Sequence, residues 1–405
     1  MKTFLIICDG LGDRPIAQFD SQTPLEAAYT PNLDKLAEGG VTGVMHTVDI
    51  GVRPGSDTAH LALFGYDPNV YYPGRGPLEV AGIGMEIKPG DICFRANMAT
   101  VDDDMIVKDR RAGRIGDASP FAEKLNGIKI DGVEFLAGAG TGHRLGLIMR
   151  GPGLSPQLTD VDSKKVGVKA RKFESADKSR EAKFTAEVLN KFLEQAHLKL
   201  NKMELNRERV SQGKLPANYL LVRGAGIFRE VPSFYDKYGL KAACVAGGGL
   251  YKGIAGILGM DVVAVEGATG KPDTDIKAKI NKAIELGKEY NFVFVHIKGA
   301  DTMGEDGDPE GKKKFIEKID EAMAPMLNLT DSLVVVTADH STPCVLKNHS
   351  ADDVPVLISG ESVRHDDVKQ FGERPCAKGR LGHIRGSHLM PIIIDLMGLA
   401  KMFGA

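Results

Sequence analysis

Seven polar residues from well-separated segments of this chain stand at or near the ends of apolar runs: Asp9, Ser56, Asp301, Glu305, Asp339, His340 and His349. The sharpest case is SLVVVTADHS, Ser332 to Ser341, where a run of Leu and Val delivers Asp339 and His340 side by side. A carboxylate oxygen beside an imidazole nitrogen is what a divalent first-row cation binds. The seven residues sort into two sets, each fit for one ion. Asp9, Asp339 and His340 with the Ser56 hydroxyl make one; Asp301, Glu305 and His349 make the other. Two cations about 3.5–4 Å apart clamp the attacking and leaving oxygens of an in-line phosphoryl displacement. The donor mix, mostly oxygen with one or two imidazoles, suits Mn²⁺ best, with Zn²⁺ and Co²⁺ behind and Mg²⁺ also accommodated. A cation on Ser56 would lower the hydroxyl pKa and make it a nucleophile. Plainer readings exist for each part. Asp-His after a strand also fits a turn with a capping carboxylate, and Ser56 also fits an ordinary helix N-cap, although a helix N-terminus would equally stabilise a phosphoryl group there.

The elements that must bring these residues together form an α/β pattern. Phe4 to Cys8, Val41 to Val48, Leu240 to Val245, the FVFVHI run, Leu333 to Val336 and residues 354–360 read as strands, several of them apolar throughout as in a parallel sheet buried on both faces. Ligands of such sheets bind at the carboxyl edge, so these side chains can converge. Thr30-Pro31 opens a helix that Gly39-Gly40 stops, Ser56 opens a second, Asp273 caps a third through Ile276, and a fourth runs from Pro309 to about Leu327 with Pro325 bending its last turn. From Tyr71 the chain turns glycine- and proline-rich and reads as a linker. Between residues 76 and 235 lie short strands, basic turns and one amphipathic helix expected over 177–210. His365 to His388 reads as a loop over the sheet, and MPIIIDLMGLA as a closing helix.

Arg95, Asn97, Arg110, Arg111, Arg114, His143 and Arg144 sit beside glycines at strand ends of this middle region, with Arg223 at the end of another strand. Solvated surface charge is the bland interpretation. A bidentate cradle for phosphate and carboxylate is the functional one. The glycine run in GGGLYKG has neither dinucleotide-binding nor Walker spacing, so no nucleotide fold follows from it. A formal net charge of -2 gives no basis for a nucleic-acid or anionic-membrane partner. No apolar stretch is long enough for a membrane span. The five cysteines are scattered singly, which fits a reducing cytoplasm better than a disulfide framework. The oligomeric state is left open, a homo-oligomer included.

The segments DGLGDRP, RPGSDTAHLALFGYDP, YYPGRGP, DRRAGRI, TGHR, GATGKPDTD, VHIKGAD and TADHSTP resemble the archaeal-type 2,3-bisphosphoglycerate-independent phosphoglycerate mutases of the alkaline phosphatase superfamily. The resemblance runs over nearly the whole chain. It implies an alkaline-phosphatase-like α/β core, residues 1–75 plus 236–405, with a mostly parallel central sheet flanked by helices. Into this core a smaller α/β or α+β lid domain, residues 76–235, is inserted. It implies 3-phosphoglycerate and 2-phosphoglycerate interconversion through a phosphoserine, with two divalent metals and no bisphosphoglycerate cofactor, on a small phosphorylated three-carbon acid. By motif position Ser56 is similar to the family's nucleophile, Asp9, Asp339, His340, Asp301 and His349 to its metal ligands, and Lys252 to its phosphate-contacting lysine. His143, Arg223 and the arginines of DRRAGRI are similar to its substrate-holding set. One position departs: four residues after Asp301 the family usually has histidine, and here Glu305 stands, a harder and more negative donor. The expected chemistry also needs a proton carrier, for which Asp109 is the first candidate and His143 the second. Rival expectations are a phosphatase or another phosphomutase on the same core, or a binding protein that has lost metal at the Glu305 site.

Overall fold

A computed structural model of the protein describes residues 1–402 and 404. The chain folds as two compact units, one of Met1–Tyr72 with Val231 onward and one of Pro73–Glu230. In chain order the strands are β1 (Lys2–Cys8), β2 (Gly40–His46), β3 (Ile92–Val101), β4 (Val107–Asp109), β5 (Ile128–Ile130), β6 (Val133–Ala139), β7 (Arg144–Arg150), β8 (Tyr219–Ile227), β9 (Ala242–Val245), β10 (Asp261–Val262), β11 (Phe292–Ile297), β12 (Ser332–Thr337), β13 (Val354–Ser359) and β14 (Gly382–Arg385).

The first unit is built on an eight-stranded sheet ordered β10-β9-β11-β1-β12-β13-β2-β14. Strands β10 through β12 in that order run parallel, whereas β13 is antiparallel to both of its neighbours. The apolar runs of β1, β11 and β12 are buried on both faces, as a covered parallel sheet requires. In β1, Cys8 pairs with Ile297 of β11 and Ile7 with Thr337 of β12. Three adjacent strands therefore end at one level, and whatever follows each of them meets there. The segment 365–388, expected as a loop, instead contributes a short helix (Glu373–Cys376) and the edge strand β14, parallel to β2. The helix expected to be capped by Asp273 is capped by Asp275, whose carboxylate accepts from the Ala278 amide, while Asp273 bonds the Thr269 hydroxyl at 2.5 Å. Helix Pro309–Met323 passes into a 3₁₀ turn, Ala324–Asn328, at Pro325.

The second unit has a six-stranded antiparallel sheet, with β3 flanked by β7 and β8. Two expectations fail in it for packing reasons. The supposed linker after Tyr71 contains a helix, Arg75–Gly82, that buries Leu78 and Val80. Its Gly76 sits so close to β3 that a Cβ would lie 2.0 Å from the Cys93 carbonyl oxygen, so glycine here marks close helix-to-sheet packing rather than a loop. The single long helix is two, Arg180–Asn201 and Glu204–Ser211. Buried Asn206 donates to the carbonyls of Leu200 and Ala217 and accepts from the Ala217 amide, pinning the break.

Candidate active site

The edge shared by β11, β1 and β12 collects the expected residues. Asp9 follows β1, Asp301 lies on helix Gly299–Asp306 after β11, and Asp339 and His340 follow β12. Close approach is possible because Gly10 takes φ +66°, where a Cβ would stand 2.6 Å from the Asp301 Cα; its amide donates to Asp339 Oδ1 at 3.1 Å.

One cluster joins Asp9, Asp339 and His340, whose ligand atoms all lie within 4.8 Å of one another. His340 Nε2 is 3.6 Å from Asp9 Oδ1, 3.3 Å from Asp339 Oδ2 and 3.1 Å from Ser56 Oγ. The tautomer follows from the partners. The Thr342 hydroxyl gives its one proton to Asp301 Oδ1 at 2.7 Å, so it accepts from His340 Nδ1–H at 3.1 Å, and Nε2 keeps a lone pair facing the cluster. Asp9 and Asp339 are wholly buried, yet Asp9 Oδ1 and Asp339 Oδ2 have no hydrogen-bond partner. Two buried carboxylate oxygens without a donor are costly unless a cation meets them, so these residues fit a divalent metal.

A second cluster joins Asp301, His340 and His349. His349 Nδ1–H donates to the Pro54 carbonyl at 2.9 Å, which leaves Nε2 toward Asp301 Oδ1, 3.6 Å away. The rings of His340 and His349 stack with centroids 3.6 Å apart, so His340 belongs to both clusters. Glu305 lies one turn beyond Asp301, exposed, and is in neither cluster. Of the expected set of Asp301, Glu305 and His349, the structure groups Asp301 and His349 with His340. A carboxylate four residues on from Asp301 shares its helix face but not its burial.

Ser56 is the first residue of helix Ser56–Leu63, and Gly55 is the N-cap. The hydroxyl makes no capping bond, and the N-cap interpretation is set aside. It points to His340 instead. His60, one turn on, donates from Nδ1 to the Ser56 carbonyl at 2.7 Å.

Sequence reasoning assigned no role to the residues packed behind Asp9. Tyr251 donates its hydroxyl to Asp9 Oδ2, His296 Nε2–H donates to the same oxygen at 2.9 Å, and Lys298 Nζ bridges Asp9 at 3.3 Å and Asp301 at 2.8 Å. Burial pushes His296 down to about 3, so its ring is neutral and Nε2 carries a proton. Burial works against the charged form of Asp9, but Lys298 and His296 outweigh it and hold that carboxyl well below its ordinary range. Burial likewise disfavours charge on Lys298, and the carboxylates of Asp9 and Asp301 more than reverse this. The available signal was polar His296 interrupting the apolar run of β11, and His60 four residues after Ser56. Lys252 follows Tyr251 on helix Gly249–Ile257 and is half-buried, and its ammonium has no carboxylate partner among the described residues.

In the second unit, Arg110 and Arg223 both bond the Oδ2 of buried Asp162, at 2.7 and 3.1 Å. Arg95 faces Arg223 across β3 and β8, and Arg144 faces Asn97 across β3 and β7. Burial, followed by the nearby cations Arg223, Arg75 and Arg144, lowers Arg95 to about 10 despite Glu79. Burial and then Arg144 and Arg111 push His143 down. Arg111, Arg114 and Arg144 are exposed. Asp109 Oδ1 accepts from the amides of Arg111 and Gly113, clamping a turn in which Ala112, Gly113 and Arg114 all have positive φ. The concentrated guanidinium charge suits an anion carrying carboxylate or phosphate oxygens.

A model of the metalloenzyme superfamily matches residues 1–396. The chain is 49% identical over 408 residues, with all of both chains covered, to a 2,3-bisphosphoglycerate-independent phosphoglycerate mutase of Methanococcus maripaludis. Among solved structures it is similar to a Pyrococcus horikoshii protein, at 38% identity and a TM-score of 0.85 with 100% of this chain and 99% of that one covered. It is also similar to the cofactor-independent phosphoglycerate mutase of Thermoplasma acidophilum, at 38% identity and 0.73, covering 98% of this chain and 100% of that one.

Proposed function

The chain belongs to the metalloenzyme superfamily and, within it, to the 2,3-bisphosphoglycerate-independent phosphoglycerate mutases, and on that premise we propose that it interconverts 3-phosphoglycerate and 2-phosphoglycerate through a phosphoserine on Ser56. Asp9, Asp339, His340 and Ser56 would hold one divalent ion and Asp301, His349 and His340 a second, with Glu305 a further donor one turn along; Mn²⁺ suits the donor set best. Such ions supply charge stabilisation for the phosphoryl oxygens and lower the serine pKa.

The chain's own residues do the rest. Ser56 Oγ loses its proton and bonds phosphorus as the bond from phosphorus to the C3 oxygen breaks. The freed C3 oxygen takes a proton from Asp109 or His143. The C2 hydroxyl then returns a proton to that same group and attacks the phosphoserine, breaking the bond from phosphorus to Oγ and restoring the Ser56 alkoxide. Lys252 neutralises charge on the phosphoryl group. Arg110, Arg111, Arg114, Arg144 and Arg223 hold the carboxylate end. Asp109 also clamps its own turn through Oδ1, and burial pushes His143 toward its neutral form, which leaves it the second candidate because only its protonated ring could donate.

The observation that supports this most is a serine hydroxyl aimed at His340 Nε2 beside two buried, unpartnered carboxylate oxygens. Purified enzyme with Mn²⁺ and 3-phosphoglycerate alone should yield 2-phosphoglycerate. Release of free phosphate without 2-phosphoglycerate would make the protein a phosphatase and overturn the reading.

A further inference from the structure

A third group of ligand-type side chains lies elsewhere on the first unit, where no step of the mutase reaction uses them. His46 ends β2, His383 lies on β14, and Asp353 immediately precedes β13. These three strands are neighbours in the sheet. Because Val354 pairs with Met45, continuing that antiparallel register sets Asp353 opposite His46. On the other side His383 pairs with Val44, two residues before His46 and hence on the same face. One ligand atom from each lies within 4.8 Å of the other two. His383 Nδ1 is 3.8 Å from Asp353 Oδ2, and the two imidazole rings stack 26° from parallel with centroids 6.2 Å apart.

We propose that His46, Asp353 and His383 form an additional binding site for one divalent transition ion, Zn²⁺ before Co²⁺ or Ni²⁺. Two imidazoles and one carboxylate select such ions over Mg²⁺ and Ca²⁺. Tetrahedral zinc with bonds of about 2.0–2.1 Å needs ligand atoms about 3.3 Å apart, so the side chains must close in only slightly. His383, 61% exposed, is free to do so and leaves a position open to water. The neighbouring acids do not compete: Asp352 is bonded to Arg14 at 2.7 Å and Asp49 to Arg385 at 3.0 Å. An ion here would tie β2 and β14 to the end of the segment that carries His349. That segment is already anchored by the Ser341 hydroxyl, which donates to the Asp353 carbonyl at 3.0 Å.

The test is zinc uptake by the full chain after chelation and dialysis against Zn²⁺, comparing wild type with His383→Ala and Asp353→Asn. Each variant should bind one Zn²⁺ fewer per chain, or bind it more than roughly tenfold more weakly. Each should also match wild type in turnover with Mn²⁺ and in melting temperature under EDTA. Equal zinc content and affinity in wild type and variants would overturn the proposal. Loss of every bound zinc from His383→Ala would overturn it too, because the site would not then be separate.

Discussion

The two ligand clusters at the sheet edge share His340 but hold their carboxylates in opposite ways. In the first, Asp9 Oδ1 and Asp339 Oδ2 are buried and lack a hydrogen-bond donor. In the second, both oxygens of Asp301 are already engaged, Oδ1 by the Thr342 hydroxyl at 2.7 Å and Oδ2 by Lys298 at 2.8 Å, and His349 is 20% exposed. The first cluster is a fixed demand for positive charge. The second has no free carboxylate oxygen and reaches solvent, while the Lys298 ammonium is shared by Asp9 of the first and Asp301 of the second. The difference predicts unequal cation sites: the first should take the tighter ion, beside Ser56, and the second the more exchangeable one.

Ser56→Ala breaks the comparison most completely, because it removes the group the first cluster serves. Mutase turnover should fall by at least about 10⁴-fold with the fold retained, measured as 2-phosphoglycerate formation. Next comes the contrast between the clusters themselves. Asp339→Asn should remove the tighter ion and cut turnover by about 10²–10³-fold or more. Asp301→Asn should leave the tighter ion in place, as read by metal content after gel filtration. Equal loss in both variants would abolish the asymmetry. Thr342→Val, nearly isosteric, removes the hydroxyl that fixes the His340 tautomer and bonds Asp301, and should weaken metal affinity by about 10–100-fold. The smallest effect belongs to Glu305→His. Turnover should change by less than about tenfold, while the second ion's preference moves from Mn²⁺ toward Zn²⁺ in competition binding.

What was legible in the sequence is what local rules encode. Apolar runs that end in Asp9, Asp339-His340 and Asp301 place those residues at one sheet edge, because strand direction and burial follow from periodicity. Less legible was whatever depends on packing between distant segments. Asp301 and Glu305 share a helix face, yet only Asp301 is drawn inward, since Gly10 leaves room beside it. No local pattern marks Tyr251 or Lys298, and the fold sets both against Asp9. The helix at Arg75–Gly82 was hidden by its glycines, of which Gly76 serves close contact with β3 and not flexibility. The break at Met203 is fixed by Asn206 bonding a strand-leading carbonyl at Ala217, a partner that periodicity cannot reveal.

The central claim is that Ser56 takes the phosphoryl group between two unequal cation sites. Enzyme loaded with Mn²⁺, mixed with 3-phosphoglycerate and quenched in acid during turnover, can be digested and weighed by mass spectrometry. The peptide holding Ser56 should gain the mass of one phosphoryl group, and the Ser56→Ala peptide should not. Active enzyme whose Ser56 peptide stays unmodified at every quench time, or that carries the phosphoryl group on another residue, would contradict it.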